Sequence, residues 1–168
     1  MRIRNEQPSD LKTIYRILSS AFPAEEEAKL VDGLRKNAIP TISLVAESKD
    51  GLIGHIFFSP VSIDGHPLLK IMGLAPMAVL PEHQNTGIGS ALVAEGLSQC
   101  KALNTGAVVV LGHSAYYPRF NFAPAIQFGL ESEYDVADDV FMAQELVKNY
   151  LNEVTGTIKY HQEFHKLS

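Results

Sequence analysis

Apolar positions recur along this chain with a period that changes several times, and each change marks an element. Arg2 to Asn5 reads as a short strand. Pro8, Ser9 and Asp10 then supply helix-start chemistry. Leu11, Ile14 and Leu18 follow at helical spacing, flanked by Tyr15 and Ala21, which predicts a first helix ending near Phe22-Pro23. A second helix is expected from about Ala24 to Asn37. Glu25-Glu26-Glu27 lie where negative charge favours a helix N-terminus, and Ala28, Leu30, Val31 and Leu34 form an apolar face. From Thr41 the pattern alternates through Ile42, Leu44 and Ala46 to a turn at Lys49-Asp50-Gly51. Leu52 to Ile63, closed by Asp64-Gly65, and Leu68 to Leu80 are two further β runs, so the middle of the chain reads as an antiparallel meander.

Helical period returns from Gly87 to about Ala102 in Ile88, Leu92, Val93 and Leu97. Ala107 to Leu111 is an unbroken apolar run, as a strand buried on both faces requires. This strand–helix–strand unit predicts a right-handed parallel crossover. A short aromatic turn or helix is expected at Tyr116 to Phe120, and one or two tail strands within Phe141 to Leu146 and Thr157 to Phe164. The expected fold class is α+β: a mixed, mostly antiparallel sheet with helices on both faces. No repeat or linker interrupts the chain, so residues 1–168 read as a single domain.

Composition narrows the function. With 46% hydrophobic and 20% charged residues the chain can build a packed core. Fourteen Lys plus Arg against 19 Asp plus Glu leave a net charge of -5, which argues against general nucleic-acid binding. The single cysteine, Cys100, excludes an intramolecular disulfide framework and a Cys-rich zinc site, and points to a reducing, cytoplasmic setting. The polar opening has no signal-peptide core, and nothing approaches the ~20 consecutive apolar residues of a membrane span.

The informative segment runs from Leu74 to Val93: a strand, a polar turn, Gly87 and Gly89, then a helix. A helix start leaves N–H groups unpaired and carries partial positive charge, and glycines let a ligand approach them. Such a turn can receive a pyrophosphate on backbone donors alone; equally, the glycines can serve packing. A P-loop lysine is absent, and Leu92 stands where a dinucleotide fingerprint has its third glycine. Pro76 lies inside an apolar run that otherwise reads as a central strand. A proline there belongs at an edge or a bulge; a bulge would splay this strand from its parallel neighbour and leave backbone groups near Ala78 and Val79 without a partner. An extended ligand carrying amides and a pyrophosphate would suit such a gap. That description fits coenzyme A.

Gln84-Asn85-Thr86-Gly87-Ile88-Gly89 resembles the Q/R-x-x-G-x-G/A acyl-CoA motif of the GNAT superfamily of N-acetyltransferases. Ile3-Arg4 to Asp10-Leu11 is similar to that family's first strand and helix, and Leu111 to Phe122 to its later YYxRFGF segment. Asn85 and Thr86 replace the usual glycine and basic residue. Asn121 replaces a glycine but tolerates the left-handed backbone the turn requires.

The resemblance implies a sheet splayed at one parallel strand pair and acetyl-CoA as cosubstrate. It implies cofactor contacts from Ala78 and Val79 along the pantetheine arm, from Gln84, Asn85, Thr86, Gly87, Ile88, Gly89 and Ser90 at the phosphates, and from Tyr117 at the thioester. It also implies direct attack by an amine, with the Val79 N–H polarising the thioester carbonyl and Tyr117 as general acid. The acceptor is then a small amine or a peptide amino group, and two copies can pair through tail strands. A non-catalytic CoA-binding sensor of the same fold is the alternative.

The general base is open: His113, His55, Glu47 or a chain of water molecules. Glu82 and His83 read as solvated beside the turn, and Cys100 as a buried, inert thiol. His161 and His165 would share a face but lack further metal ligands, so no metal site is expected. The acidic stretch Glu131 to Asp139 reads as an exposed loop.

Overall fold

The computed structural model describes residues 1–167. In chain order the elements are β1 (Arg2–Asn5), α1 (Leu11–Ala21), α2 (Glu26–Asn37), β2 (Ile42–Ser48), β3 (Gly51–Ile63) and β4 (Ile71–Val79). They continue with α3 (Ile88–Ala102), β5 (Ala107–Leu111), β6 (Ala123–Pro124), β7 (Leu130–Ser132), β8 (Phe141–Glu145) and β9 (Gly156–Lys159). The strands lie side by side as β1-β2-β3-β4-β5-β8-β6, and β9 joins the far end of β3 to β7. Along that path every neighbouring pair is antiparallel except β4 with β5.

Two-residue periodicity sends consecutive strand residues to opposite faces. Phe57 and Val109 join Ile14, Leu18 and Leu34 on the face covered by α1 and α2. Phe58 and Val110 join Leu92 and Val93 on the face covered by α3. Helices thus cover both faces, as the sequence predicts. Gly96 lets α3 settle close on β3: a Cβ there would lie 2.2 Å from Cε1 of Phe58.

Several details differ from the sequence reading. The Asp10 side chain does not cap α1; it accepts from the Gln7 N–H at 2.7 Å and pairs with Arg4 at 2.7 Å. Asp10 thus keeps a helix-start role, but as the third helical residue of a capping box that begins one turn earlier at Gln7. The final predicted strand stops at Lys159 and gives way to a 3-10 turn at Gln162–Lys166. The short strands β6 and β7 have no counterpart in the sequence reading, and β7 with β9 forms a second parallel pair. No helix among the described residues is long and apolar enough to cross a membrane.

Candidate active site

β4 and β5 run together only part of the way. Their parallel ladder begins at Ile71 with Ala107 and ends at Leu74 with Val110. On its other side, β4 pairs Leu74 with Phe58 and Met77 with Ile56, so β4 carries one extra residue at Ala75-Pro76. That is the bulge expected from a proline with no N–H to give. Past it, β4 stays with β3 but leaves β5.

The backbone direction at the end of β4 follows from the ladder. The Leu80 N–H donates to the Ile53 carbonyl at 2.9 Å. Antiparallel pairs alternate between bonded and non-bonded, so the next pair, Val79 with Gly54, turns its N–H and C=O groups away from β3. The Val79 carbonyl duly accepts from Gln84 Nε2 at 3.0 Å. The Val79 N–H on the same side faces the gap left by β5.

A 3-10 turn at Pro81–His83 leads to α3. Gly87 takes φ +89°, a left-handed conformation that glycine adopts without strain, and no side chain caps the helix there. The first N–H groups of α3 are therefore free of protein partners within the helix. Gly89 faces Tyr116, whose hydroxyl would lie 3.0 Å from a Cβ at that position. Ser90 Oγ stands 3.3 Å from the same hydroxyl.

The opposite wall comes from the segment after β5. His113 is exposed, and its carbonyl accepts from the Tyr116 N–H at 3.0 Å. A 3-10 turn at Tyr117–Phe120 closes at Asn121 with φ +73°, so asparagine does take the left-handed position. The Tyr117 ring meets Tyr116 edge-on at 5.1 Å and Phe122 at 5.8 Å. Burial, with a smaller contribution from Tyr116, pushes the Tyr117 phenol up to about 12.

These walls enclose an open cavity of about 620 Å³. Of the candidates named from the sequence, Val79, Gln84, Asn85, Gly87, Gly89, Ser90, His113 and Tyr117 line it. Met77, His83, Tyr116 and Arg119 line it as well and were not foreseen as site residues. Ala78, Thr86 and Ile88 send no side chain into it. Ala78 is buried on the α1–α2 face, Ile88 is buried under α3, and the Thr86 hydroxyl donates to the His83 carbonyl at 2.5 Å.

Other candidate residues lie elsewhere. His55 is fully buried; burial pushes its imidazole down to about 4, against an upward pull from Glu6. It bonds Ser43 at 2.8 Å, and Ser43 in turn bonds Glu6, which is paired with Arg35. Glu47 pairs with Arg4. Neither His55 nor Glu47 lines the cavity. Cys100 is buried, and burial alone pushes its thiol up to about 12. His161 accepts from the Glu163 N–H while His165 bonds Glu133 at 2.8 Å, so the two histidines have separate tasks. Glu133 also accepts from the Tyr160 N–H at 2.5 Å, so the acidic stretch is not wholly an exposed loop.

Comparison with known proteins gives consistent results. Residues 2–125 match the acetyltransferase (GNAT) domain family. The chain is 37% identical over 167 residues to YhbS of Escherichia coli K12, described as an uncharacterized N-acetyltransferase, with 99% of each chain covered. The structure of E. coli YhbS in complex with CoA superposes with a TM-score of 0.92 at 36% identity, over 99% of this chain and 93% of that one. A GNAT-family acetyltransferase of Brucella melitensis, crystallised with acetyl-CoA, gives 0.78 at 33% identity over 97% of each chain.

Proposed function

The chain belongs to the GNAT acetyltransferase family, and from that premise we propose that it moves the acetyl group of acetyl-CoA to a primary amine of a small molecule or peptide, by direct attack with both substrates bound. The relatives crystallised with CoA and acetyl-CoA support the cosubstrate. One observation carries the reading: the ladder between β4 and β5 stops at Leu74 and Val110, and the Val79 N–H turns into the space that opens. A thioester with an amide-bearing arm can take the place of the missing strand.

Each step has a residue to serve it. The free N–H groups at the start of α3, reached past Gly87 and Gly89, receive the diphosphate. The Val79 N–H donates to the thioester carbonyl oxygen, where negative charge grows as the amine attacks. The new C–N bond forms as the C–S bond breaks. The Tyr117 hydroxyl donates to the departing sulfur. With its phenol pushed up to about 12, Tyr117 holds its proton throughout the neutral range, but full transfer to a thiolate of ordinary pKa ~8.5 would run uphill. Its contribution is therefore that of a strong hydrogen-bond donor to the developing charge. His113, exposed on the cavity wall, takes the proton that the amine sheds, directly or through water.

A thiol-release assay with acetyl-CoA and a panel of primary amines tests the proposal. Amine-dependent release is the expected result. Acetyl-CoA binding without release for any amine would instead mark a sensor of the same fold. Absence of binding in calorimetry would refute the cosubstrate assignment as well.

A further inference from the structure

We propose that Arg119 is the cation that holds a phosphate group of the CoA thioester, acting from the cavity wall that faces the glycine turn. The assignment rests on the proposed function. The turn brings no lysine or arginine of its own: His83, which also lines the cavity, precedes Gln84, Asn85 and Thr86, and these lead into Gly87. Of the residues lining the cavity, Arg119 alone is a lysine or arginine. A helix N-terminus supplies roughly half an elementary charge, which leaves most of a multiply charged phosphate ligand unmatched. The chain as a whole carries -5, so its general field does not supply the difference.

Arg119 is held in place. Its Nε donates to the Tyr116 carbonyl at 2.9 Å, and its Cζ lies 4.4 Å from the centroid of the Tyr116 ring. That ring is tied to the phosphate end of the cavity, because its hydroxyl stands 3.3 Å from Ser90 Oγ in the first turn of α3. The ring face and Nε fix one side of the guanidinium. Among the described residues, no carboxylate pairs with it, and its two terminal amino groups have no hydrogen-bond partner. Those groups offer a planar fork of N–H donors, the arrangement that grips two phosphate oxygens at once. A cation already stacked and anchored loses less freedom on binding than a loose lysine would.

Coenzyme A carries phosphate in two places, the diphosphate and the ribose 3′-phosphate, and ligand truncation separates them. Calorimetry at low salt compares wild type, Arg119→Gln and Arg119→Lys with CoA and with dephospho-CoA. Thiol release from acetyl-CoA and from acetyl-pantetheine, which has no phosphate, adds a kinetic readout. Arg119→Gln weakens CoA roughly tenfold or more and raises KM for acetyl-CoA while kcat holds. It leaves kcat/KM for acetyl-pantetheine unchanged. Arg119→Lys recovers part of the loss, as a point charge without the fork. A penalty that vanishes with dephospho-CoA places Arg119 on the 3′-phosphate; one that persists places it on the diphosphate. Wild-type CoA affinity in Arg119→Gln overturns the assignment, as does an equal loss with acetyl-pantetheine, which would mean that Arg119 only props Tyr116. Wild-type protein that binds no CoA overturns the proposed function, a result separate from either.

Discussion

Replacing Tyr117 by phenylalanine removes a single hydroxyl from the wall of the cavity. The ring stays packed: it is 8% exposed, meets Tyr116 and Phe122 edge-on, and lies so close to Gly112 that a Cβ there would be 2.3 Å from Cε2. Among the described residues no protein group bonds the hydroxyl, so its loss leaves no partner stranded and Tm should scarcely move. What is lost is one donor to the charge growing on sulfur. A hydrogen bond to a charged group contributes about 1.5–3 kcal/mol, which is roughly a ten- to hundredfold fall in kcat. A larger loss is not expected, because a phenol pushed up to about 12 cannot transfer its proton downhill to the thiolate. The same property means that loss of the Tyr117 proton produces no alkaline limb in the wild-type rate up to about pH 10. The assay is thiol release at saturating acetyl-CoA, with CoA affinity measured in parallel. Unchanged turnover in Tyr117→Phe, or a fall in turnover matched by an equal fall in affinity, would refute the role.

Further outcomes follow from packing and burial. Gly96→Ala drives a Cβ into the fully buried Phe58 ring and should cost about 1–3 kcal/mol, read as a lower urea midpoint and a Tm several degrees down; an unchanged midpoint would mean that α3 sits more loosely on β3. Burial pushes His55 down to about 4, so below about pH 6.5 the unfolded chain binds a proton that the folded chain refuses. Wild-type stability should therefore fall as pH drops from about 6.5 toward 4, and His55→Gln should flatten that slope; parallel slopes would contradict the buried neutral imidazole. Cys100 should resist a thiol reagent in the native protein and react fully in urea, with Cys100→Ala keeping wild-type turnover. Rapid native labelling would place the thiol elsewhere.

Long periodic elements declare themselves locally. The Leu92-Val93-Leu97 stripe and the Val108-Val109-Val110 run identify α3 and β5 because each residue reports its own face. Pro76 marks the bulge, and Gly87 the helix start, because backbone chemistry at those positions admits few alternatives. Strands of two or three residues, β6 and β7, are too short to show a period and exist only through the neighbours that pair with them. The same limit hides several side-chain roles. His55 looks like a cleft base on an alternating strand, but Ser43 and the Glu6–Arg35 pair, distant in sequence, enclose it. Glu133 looks solvated within an acidic run, yet Tyr160 and His165 from the tail fold back onto it. Arg119, which lines the cavity, sits in plain view within the aromatic segment; a cation two residues past Tyr117, opposite a glycine turn with no lysine or arginine, is the signal in the sequence for the role proposed above.

The most direct test of the central claim is the structure of crystals grown with acetyl-CoA. The account predicts the thioester arm lying between β4 and β5 beyond Leu74 and Val110, its carbonyl oxygen within hydrogen-bond distance of the Val79 N–H and its diphosphate on the first turn of α3. A complex in which those strands close on each other, with the thioester bound elsewhere and the Val79 N–H turned back to β3, would contradict it.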